Sequence, residues 1–198
     1  SDWAKGNQPS GLNEYGIDVA KAKQLLQEAG WDPNTTIKLQ WVQGQRDRDA
    51  TATIVQSELA AVGVKVELVN VQGAQMTKTY QEKSYDMVLY GGGNYAIDSS
   101  SIAVIATCAQ QYPTGGNINW FCNQQVDELM NQANAETDAA KRKSLYDQAA
   151  KLTNEQADLF WLYSPNGLWG VNNRIKGFKA AGSQDAGFWD PASWSVSK

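Results

Sequence analysis

Histidine does not occur in the 198 residues. Its absence removes Ser-His-Asp and Cys-His nucleophilic catalysis, histidine-ligated metal sites and a histidine pH switch. Cysteine is almost as scarce, with two residues and no Cys-x-x-Cys pair, so a zinc site fails on ligand count. Positive charge is in slight deficit: 17 Lys and Arg stand against 21 Asp and Glu, a net charge of -4. Nucleic-acid binders carry a basic patch, and that class is set aside. No apolar run approaches the ~18 residues of a membrane-spanning helix. Neither a G-x-S-x-G elbow nor a P-loop occurs. No secretory signal opens the chain, and Ser1-Asp2-Trp3 is not a natural start, so the chain reads as an excised piece of a longer protein.

What is present is ordinary in bulk and particular in detail. A hydrophobic fraction of 42% and a charged fraction of 19% suit a globular chain that can bury a core, as one large domain or two small ones. Eight Trp and eight Tyr outnumber four Phe, so rings with a polar handle are favoured over purely apolar ones. With abundant Asn and Gln, this mixture suits contact with sugar or peptide, and equally the surface of any extracellular protein. Cys108 and Cys122 are either buried free thiols or one disulfide closing a turn-rich loop. The disulfide is the favoured reading, and with it an oxidising compartment.

The order of elements alternates. After an irregular stretch over 1–17, Asp18 caps a helix with Val19, Ala22, Leu25, Leu26 and Ala29 at helical spacing and Gly30 at its end. Residues 36–42 alternate as a strand. Asp47 or Asp49 caps a second helix whose inner face is Ile54, Val55, Leu59 and Val62. A strand over 64–71, a helix over 74–83 and an apolar run over 85–90 follow, the last with the pattern of a central strand. A helix is expected near 99–106, another from Asn123, and a long one capped by Thr137 or Asp138. Residues 159–163 and 168–172 read as strands around a turn, with Trp161 in the core. The fold class is α/β.

Few groups stand out as chemistry. Gly91-Gly92-Gly93-Asn94-Tyr95-Ala96 matches G-x-G-x-x-A after a strand, but no helix opens there and no acid follows about 20 residues on, so a dinucleotide site is set aside. A glycine-rich bend at the carboxyl end of a strand is where ligands bind in open α/β sheets; a plain tight turn is the bland alternative. The loop acids Asp47, Asp49, Asp98, Asp185 and Asp190 show no spacing that marks a glycosidase pair. Trp120, beside Asn117 and Asn119, is a candidate ligand platform. Candidate ligand-binding residues are therefore Gly91, Gly92, Gly93, Asn94, Tyr95, Asp98 and Trp120, with Gln43 and Gln45 at the end of the first strand. No cofactor and no metal are expected.

The order and spacing of several motifs resemble family 5 of the extracellular solute-binding proteins, the oligopeptide/dipeptide-binding class that serves ABC importers. Tyr15-Gly16-Ile17-Asp18 through Ala29-Gly30-Trp31 is similar to that family's Y-x-x-D-x-x-K-A-K-x-L-L-x-E-A-G-W helix. Ile54 to Leu59 with Val62 to Val66, Tyr85-Asp86-Met87, Val126-Asp127-Glu128-Leu129, Arg142 with Leu145-Tyr146, and Ile175-Lys176-Gly177-Phe178 match later motifs. The resemblance implies a periplasmic-binding-protein-like type II lobe, a mixed sheet flanked by helices, with residues 1–175 as the second ligand-binding lobe and 176–198 as a tail returning to a first lobe. It implies an extracellular or periplasmic, lipid-tethered, monomeric binding component with permease partners, no catalysis, and closure of a cleft on its ligand. Departures exist: Ala157-Asp158-Leu159 stands where the family often has Pro. Peptide-binding members carry Trp-x-x-Asp after the central strand, whose Asp holds the peptide's amino group; here those two positions are Gly92 and Tyr95. A buried ammonium needs a carboxylate, so the expected ligand is an oligosaccharide or other uncharged solute, with Asp98 keeping a peptide as the alternative. A nickel carrier of the same family and a carbohydrate-active enzyme are the remaining alternatives.

Overall fold

The structure is a computed structural model, and it describes residues 9–91, 99–157, 159–163, 169–179 and 190–197. By packing, the chain divides into two compact units, Glu14–Gly91 and Ser1–Asn13 with Gly92–Lys198. The α/β class expected from the alternation is the class observed.

The unit Glu14–Gly91 is a three-layer arrangement grown from one parallel sheet. Helix α1 (Val19–Glu28) begins at Asp18, whose carboxylate accepts the Lys21 amide at 2.8 Å. It ends at Gly30, whose φ of +67° needs a residue without a Cβ. Strand β1 (Thr36–Val42) pairs in parallel with β2 (Lys65–Val71) from Thr36↔Lys65 to Val42↔Val71, and on its other side with β3 (Met87–Val88) through Leu39↔Met87 and Gln40↔Val88. Helix α2 (Arg46–Ala61) links β1 to β2, and α3 (Gly73–Glu82) links β2 to β3. Leu39, Trp41, Ala52, Val64, Val66 and Leu89 form the buried core, with Val55, Leu59 and Val62 of α2 packed on it.

Several expectations for this unit are corrected. Central place belongs to β1, and β3 is at the edge of the described sheet, because each of β2 and β3 pairs only with β1. Neither Asp47 nor Asp49 caps α2. The cap position is Gln45, which makes no side-chain cap bond, and both acids lie in the first turn, where they complement the helix dipole. Ile54 is 58% exposed rather than inward, because the buried stripe passes through Ala52 and Val55. The apolar residues of α1 reach little core: Ala22 and Leu26 are half-buried, and Val19 and Leu25 are exposed.

The second unit is built on a helix pair. A short 3-10 turn (Ser99–Ile102) leads into α4 (Ala103–Ala106), and beyond the cysteine loop stand α5 (Gln124–Ala135) and α6 (Ala139–Gln156). Asn123 and Asp138 cap them, accepting the amides of Gln125 at 2.9 Å and Lys141 at 2.8 Å. Small residues let the two helices approach: Ala133 and Ala149 are fully buried beside Val126, Met130 and Tyr146. The Tyr146 hydroxyl donates to Asn134 Oδ1 at 2.9 Å, which satisfies the one polar tip in that core. The amino-terminal stretch lies along α6, where Ser10 donates to Asp147 at 2.7 Å and the Asn13 amide to Asn154 at 2.8 Å. Strands β4 (Ile175–Lys176) and β5 (Ser195–Val196) pair antiparallel, with Phe178 set between Trp169 and Trp194.

The strands expected at 159–163 and 168–172 are not formed among the described residues. Phe160, Trp161, Leu162 and Tyr163 are all exposed, Trp161 by 62%, so the expectation that Trp161 is core is corrected. The apolar run has no described neighbour layer to enter. Residues 158, 164–168, 180–189 and 198 lie outside the described residues.

Met130→Ala is expected to lower stability by about 2–5 kcal/mol, since a fully buried side chain leaves a cavity between packed helices. Leu25→Ser on exposed α1 is expected to change it by less than about 0.5 kcal/mol. Urea unfolding followed by circular dichroism separates the two.

Candidate functional site

Parallel pairing sends the carboxyl ends of β1, β2 and β3 to the same edge. Gln43 and Gln45 follow β1, Gln72 follows β2, and Leu89, Tyr90 and Gly91 follow β3. The edge is tied by backbone bonds: the Gln43 amide donates to Val71 O at 2.9 Å and the Leu89 amide to Gln40 O at 2.9 Å. Gln43 and Gly91 are exposed and Gln45 is half-buried. The structure thus brings Gln43, Gln45 and Gly91 to one sheet edge. Gly92, Gly93, Asn94, Tyr95 and Asp98 lie outside the described residues, and Trp120 belongs to the other unit.

Sequence reasoning missed Arg48 at this edge. It sits in the first turn of α2, half-buried, with Nη1 3.5 Å from Leu89 O. Its Nη2 would lie 2.6 Å from a Cβ built on Gly91, so the guanidinium occupies the space a side chain would take there. No carboxylate lies within ion-pair distance of Arg48 among the described residues. Its near neighbour Asp49 is engaged elsewhere, accepting the Trp41 indole N–H at 2.7 Å. A fork of donors fixed beside bare backbone is suited to a planar acceptor such as a carboxylate. The signal available in the sequence was position: an Arg in the first turn of a helix that follows a parallel strand. Tyr90, 51% exposed, is braced edge-on by Tyr80, whose ring meets Tyr85 in the same way.

The cysteine loop carries the second group of candidates. Cys108 and Cys122 are bonded, with Cα atoms 4.6 Å apart. The Cys108 amide donates to Asp127 Oδ1 at 3.0 Å, which fastens the loop to the start of α5. Inside it, Asn117 is fully buried and its Nδ2 donates to Thr107 O at 2.9 Å and Phe121 O at 2.8 Å. Trp120 has φ of +60°, a conformation that costs a bulky residue about 1–3 kcal/mol. Its carbonyl accepts Gln111 Nε2 at 2.9 Å. No group of three or more His, Cys, Asp or Glu that could hold a metal occurs among the described residues. A depression lined by Gln56, Gly63, Lys65 and Val66 lies at the amino end of β2, away from the carboxyl edge.

Comparison with known proteins places these features. The family described as bacterial extracellular solute-binding proteins, family 5 Middle, matches residues 1–113. Di/tripeptide-binding protein 2 of Pseudomonas aeruginosa is 26% identical over 85% of this chain and 32% of its own length. The oligopeptide-binding protein AppA of Bacillus subtilis, solved with a nonapeptide, superposes with a TM-score of 0.82 at 23% identity, covering 97% of this chain and 40% of that one. NikZ of Campylobacter jejuni, solved with Ni(L-His), gives 0.81 at 19% identity, over 96% and 41%. At these identities the two structures establish the fold alone, a type II periplasmic-binding-protein-like lobe. The chain spans about a third of the length of the curated relatives it matches.

Titration of unreduced protein with a thiol reagent is expected to find no free thiol. Opening the Cys108–Cys122 loop, 14 residues in sequence separation, is expected to lower stability by about 3 kcal/mol, read as a lower urea midpoint in reductant.

Proposed function

Because the chain belongs to family 5 of the bacterial extracellular solute-binding proteins, we propose that it is part of the binding component of an ABC importer, and that its solute is a peptide. The family match carries the first statement. Arg48 supports the second. An uncharged sugar is expected only where neither terminus of a peptide finds a charged partner, and the missing Trp-x-x-Asp carboxylate bears on the amino end alone. A half-buried guanidinium beside Gly91, with no acid on it among the described residues, is a partner for the carboxyl end. The relatives above are named for peptides and nickel rather than sugars, which favours the same change of reading.

In this reading residues 1–175 form the second lobe, and 176–198 a tail that reaches a first lobe. The ligand contacts proposed from sequence are Gly91, Gly92, Gly93, Asn94 and Tyr95. Arg48 takes the carboxylate, with Gln43 and Gln45 at the same sheet edge; Asp98 is the carboxylate the sequence offers for the ammonium, and Trp120 the ring it offers as a platform. Binding to one lobe and bridging to the other stabilises the closed form, which a permease then recognises. The protein acts outside the cytoplasm, lipid-tethered, and catalyses nothing.

Calorimetry on the full-length protein tests this with free and carboxy-amidated di- to pentapeptides and with oligosaccharides. Free peptides are expected to bind at micromolar concentration or tighter, and sugars to give no heat. Amidation is expected to cost roughly 10–100-fold, the value of one charge-assisted hydrogen bond pair. Arg48→Gln is expected to erase that difference, and Asp98→Asn to abolish binding. Sugar heat without peptide heat would overturn the peptide reading.

A further inference from the structure

Arg48 reaches the carboxyl edge because of its place on α2. Ala52 lies four residues on, hence on the same helix face, and it is fully buried in the core that also holds Leu89. Leu89 is itself fixed, its amide donating to Gln40 O at 2.9 Å. The helix face that packs against the end of β3 therefore carries Arg48 one turn nearer the edge. There its Nη1 lies 3.5 Å from Leu89 O.

The guanidinium also rests over Gly91. A Cβ built on that glycine would stand 2.6 Å from Nη2, 3.6 Å from Cζ and 3.9 Å from Nε, and these three nearest atoms all belong to Arg48. No other described glycine has this arrangement: a Cβ on each of the others would meet open space or backbone. At Gly91 φ lies outside the left-handed range, so the backbone itself does not call for glycine. What calls for it is the neighbouring guanidinium.

An obstruction of this kind is cheap for the fold and decisive for the site. The atoms in the way are the far end of a flexible side chain, which can swing aside without straining the backbone. What is lost is orientation. Arginine holds a carboxylate best through two parallel N–H groups, and the gain is largest when the fork is fixed beforehand. Arg48 meets one acceptor among the described residues, Leu89 O, so most of its five N–H groups are left for a solute.

We propose that Gly91 is a positioning residue whose bare Cα seats the Arg48 guanidinium, so that position 91 governs recognition of a peptide's free carboxylate through Arg48 and without touching the solute. This rests on the peptide reading above and gives Gly91 a role other than ligand contact. A side chain at position 91 makes the protein indifferent to whether the peptide ends in a carboxylate or an amide. The effect belongs to the pair: without Arg48, position 91 has nothing to seat.

The test is calorimetry on the full-length protein with Ala-Phe-Ala and its carboxy-amide, using Gly91→Ala, Arg48→Gln and the double variant, with urea midpoints alongside. The unsubstituted protein is expected to prefer the free tripeptide. Gly91→Ala is expected to keep its midpoint and to lose roughly tenfold in affinity for the free tripeptide, while the amide changes by less than about threefold. The double variant is expected to match Arg48→Gln for both ligands, because two residues that act as one are not additive. Should Gly91→Ala lower the midpoint, the double variant, which removes the obstructed side chain, is expected to restore it; a midpoint that stays low places the strain in the backbone and overturns the proposal. A preference for the free tripeptide that survives Gly91→Ala overturns it too, as does a loss that adds to that of Arg48→Gln, since Gly91 then contacts the solute directly. If the unsubstituted protein binds both forms equally, the carboxylate role of Arg48 has failed; if it binds neither form nor any longer peptide, the solute-binding reading has failed. In both cases the seat at Gly91 falls with it.

Discussion

Pairing of β1 in parallel with both β2 and β3 is the constraint on which the amino-terminal unit depends. Parallel strands cannot be joined by a tight turn, so each connection must travel the length of the sheet and return. Those connections are α2 and α3, and their first turns start at the edge where the strands end. Everything chemically useful in this unit follows from that geometry. Gln43, Gln45, Arg48 and Gly91 are scattered over nearly 50 residues of sequence, yet the ends of β1 and β3 collect them. The core under them is narrow: Leu39 and Trp41 on β1, Ala52 on α2, Val64 just before β2, Val66 within it, and Leu89 just after β3. Trp41 does double duty, packing its ring inward while its N–H fastens Asp49.

The other unit uses a different device. Its helix pair is close because Ala133 and Ala149 leave no bulk between the axes. The loop before α5 has no regular backbone ladder to satisfy its amides and carbonyls, and a single buried asparagine substitutes for one. Asn117 serves Thr107 and Phe121 with its side chain and Gln110 and Tyr112 with its backbone. Each of these bonds matters more for being buried, since an unmet partner there could not turn to water. The disulfide and Asp127 then fix this loop to the helix that follows.

Elements whose local and tertiary preferences agree were legible in the sequence. Residues 36–42 read as a strand and form one with those bounds; Asp18 reads as a cap and acts as one, a helix is read from Asn123 and starts there, and of Thr137 and Asp138 the cap is Asp138. Places where tertiary context decides were not. Asp47 and Asp49 have the chemistry of caps, but Trp41 claims Asp49, and the backbone starts the helix at Gln45. The run 85–90 reads as central because it is largely apolar, broken only by Asp86, and only strand order shows it at an edge of the described sheet. Of the candidate site, the glutamines and Gly91 could be read from their places after strands. Arg48 had only its position in the first turn of a helix after a strand to mark it, because its partners, a carbonyl and the space over a glycine, are not written in a spacing. The left-handed backbone at Trp120 was equally silent, since it comes from bonds made by Gln111 and Asn117.

The exposed run Leu159–Tyr163 has a consequence for the molecule in solution. Leu, Phe, Trp, Leu and Tyr follow one another without a charge or a proline, and four of the five are more than half open to water. Segments of this composition are good templates for cross-β stacking, because each copy offers interlocking apolar side chains to the next. Asp158 stands directly before it and Glu155 three residues further back, and Arg174 is the nearest charge after it. Exposed apolar side chains in one short run favour association between copies, and Asp158 at its head is the charge that opposes it.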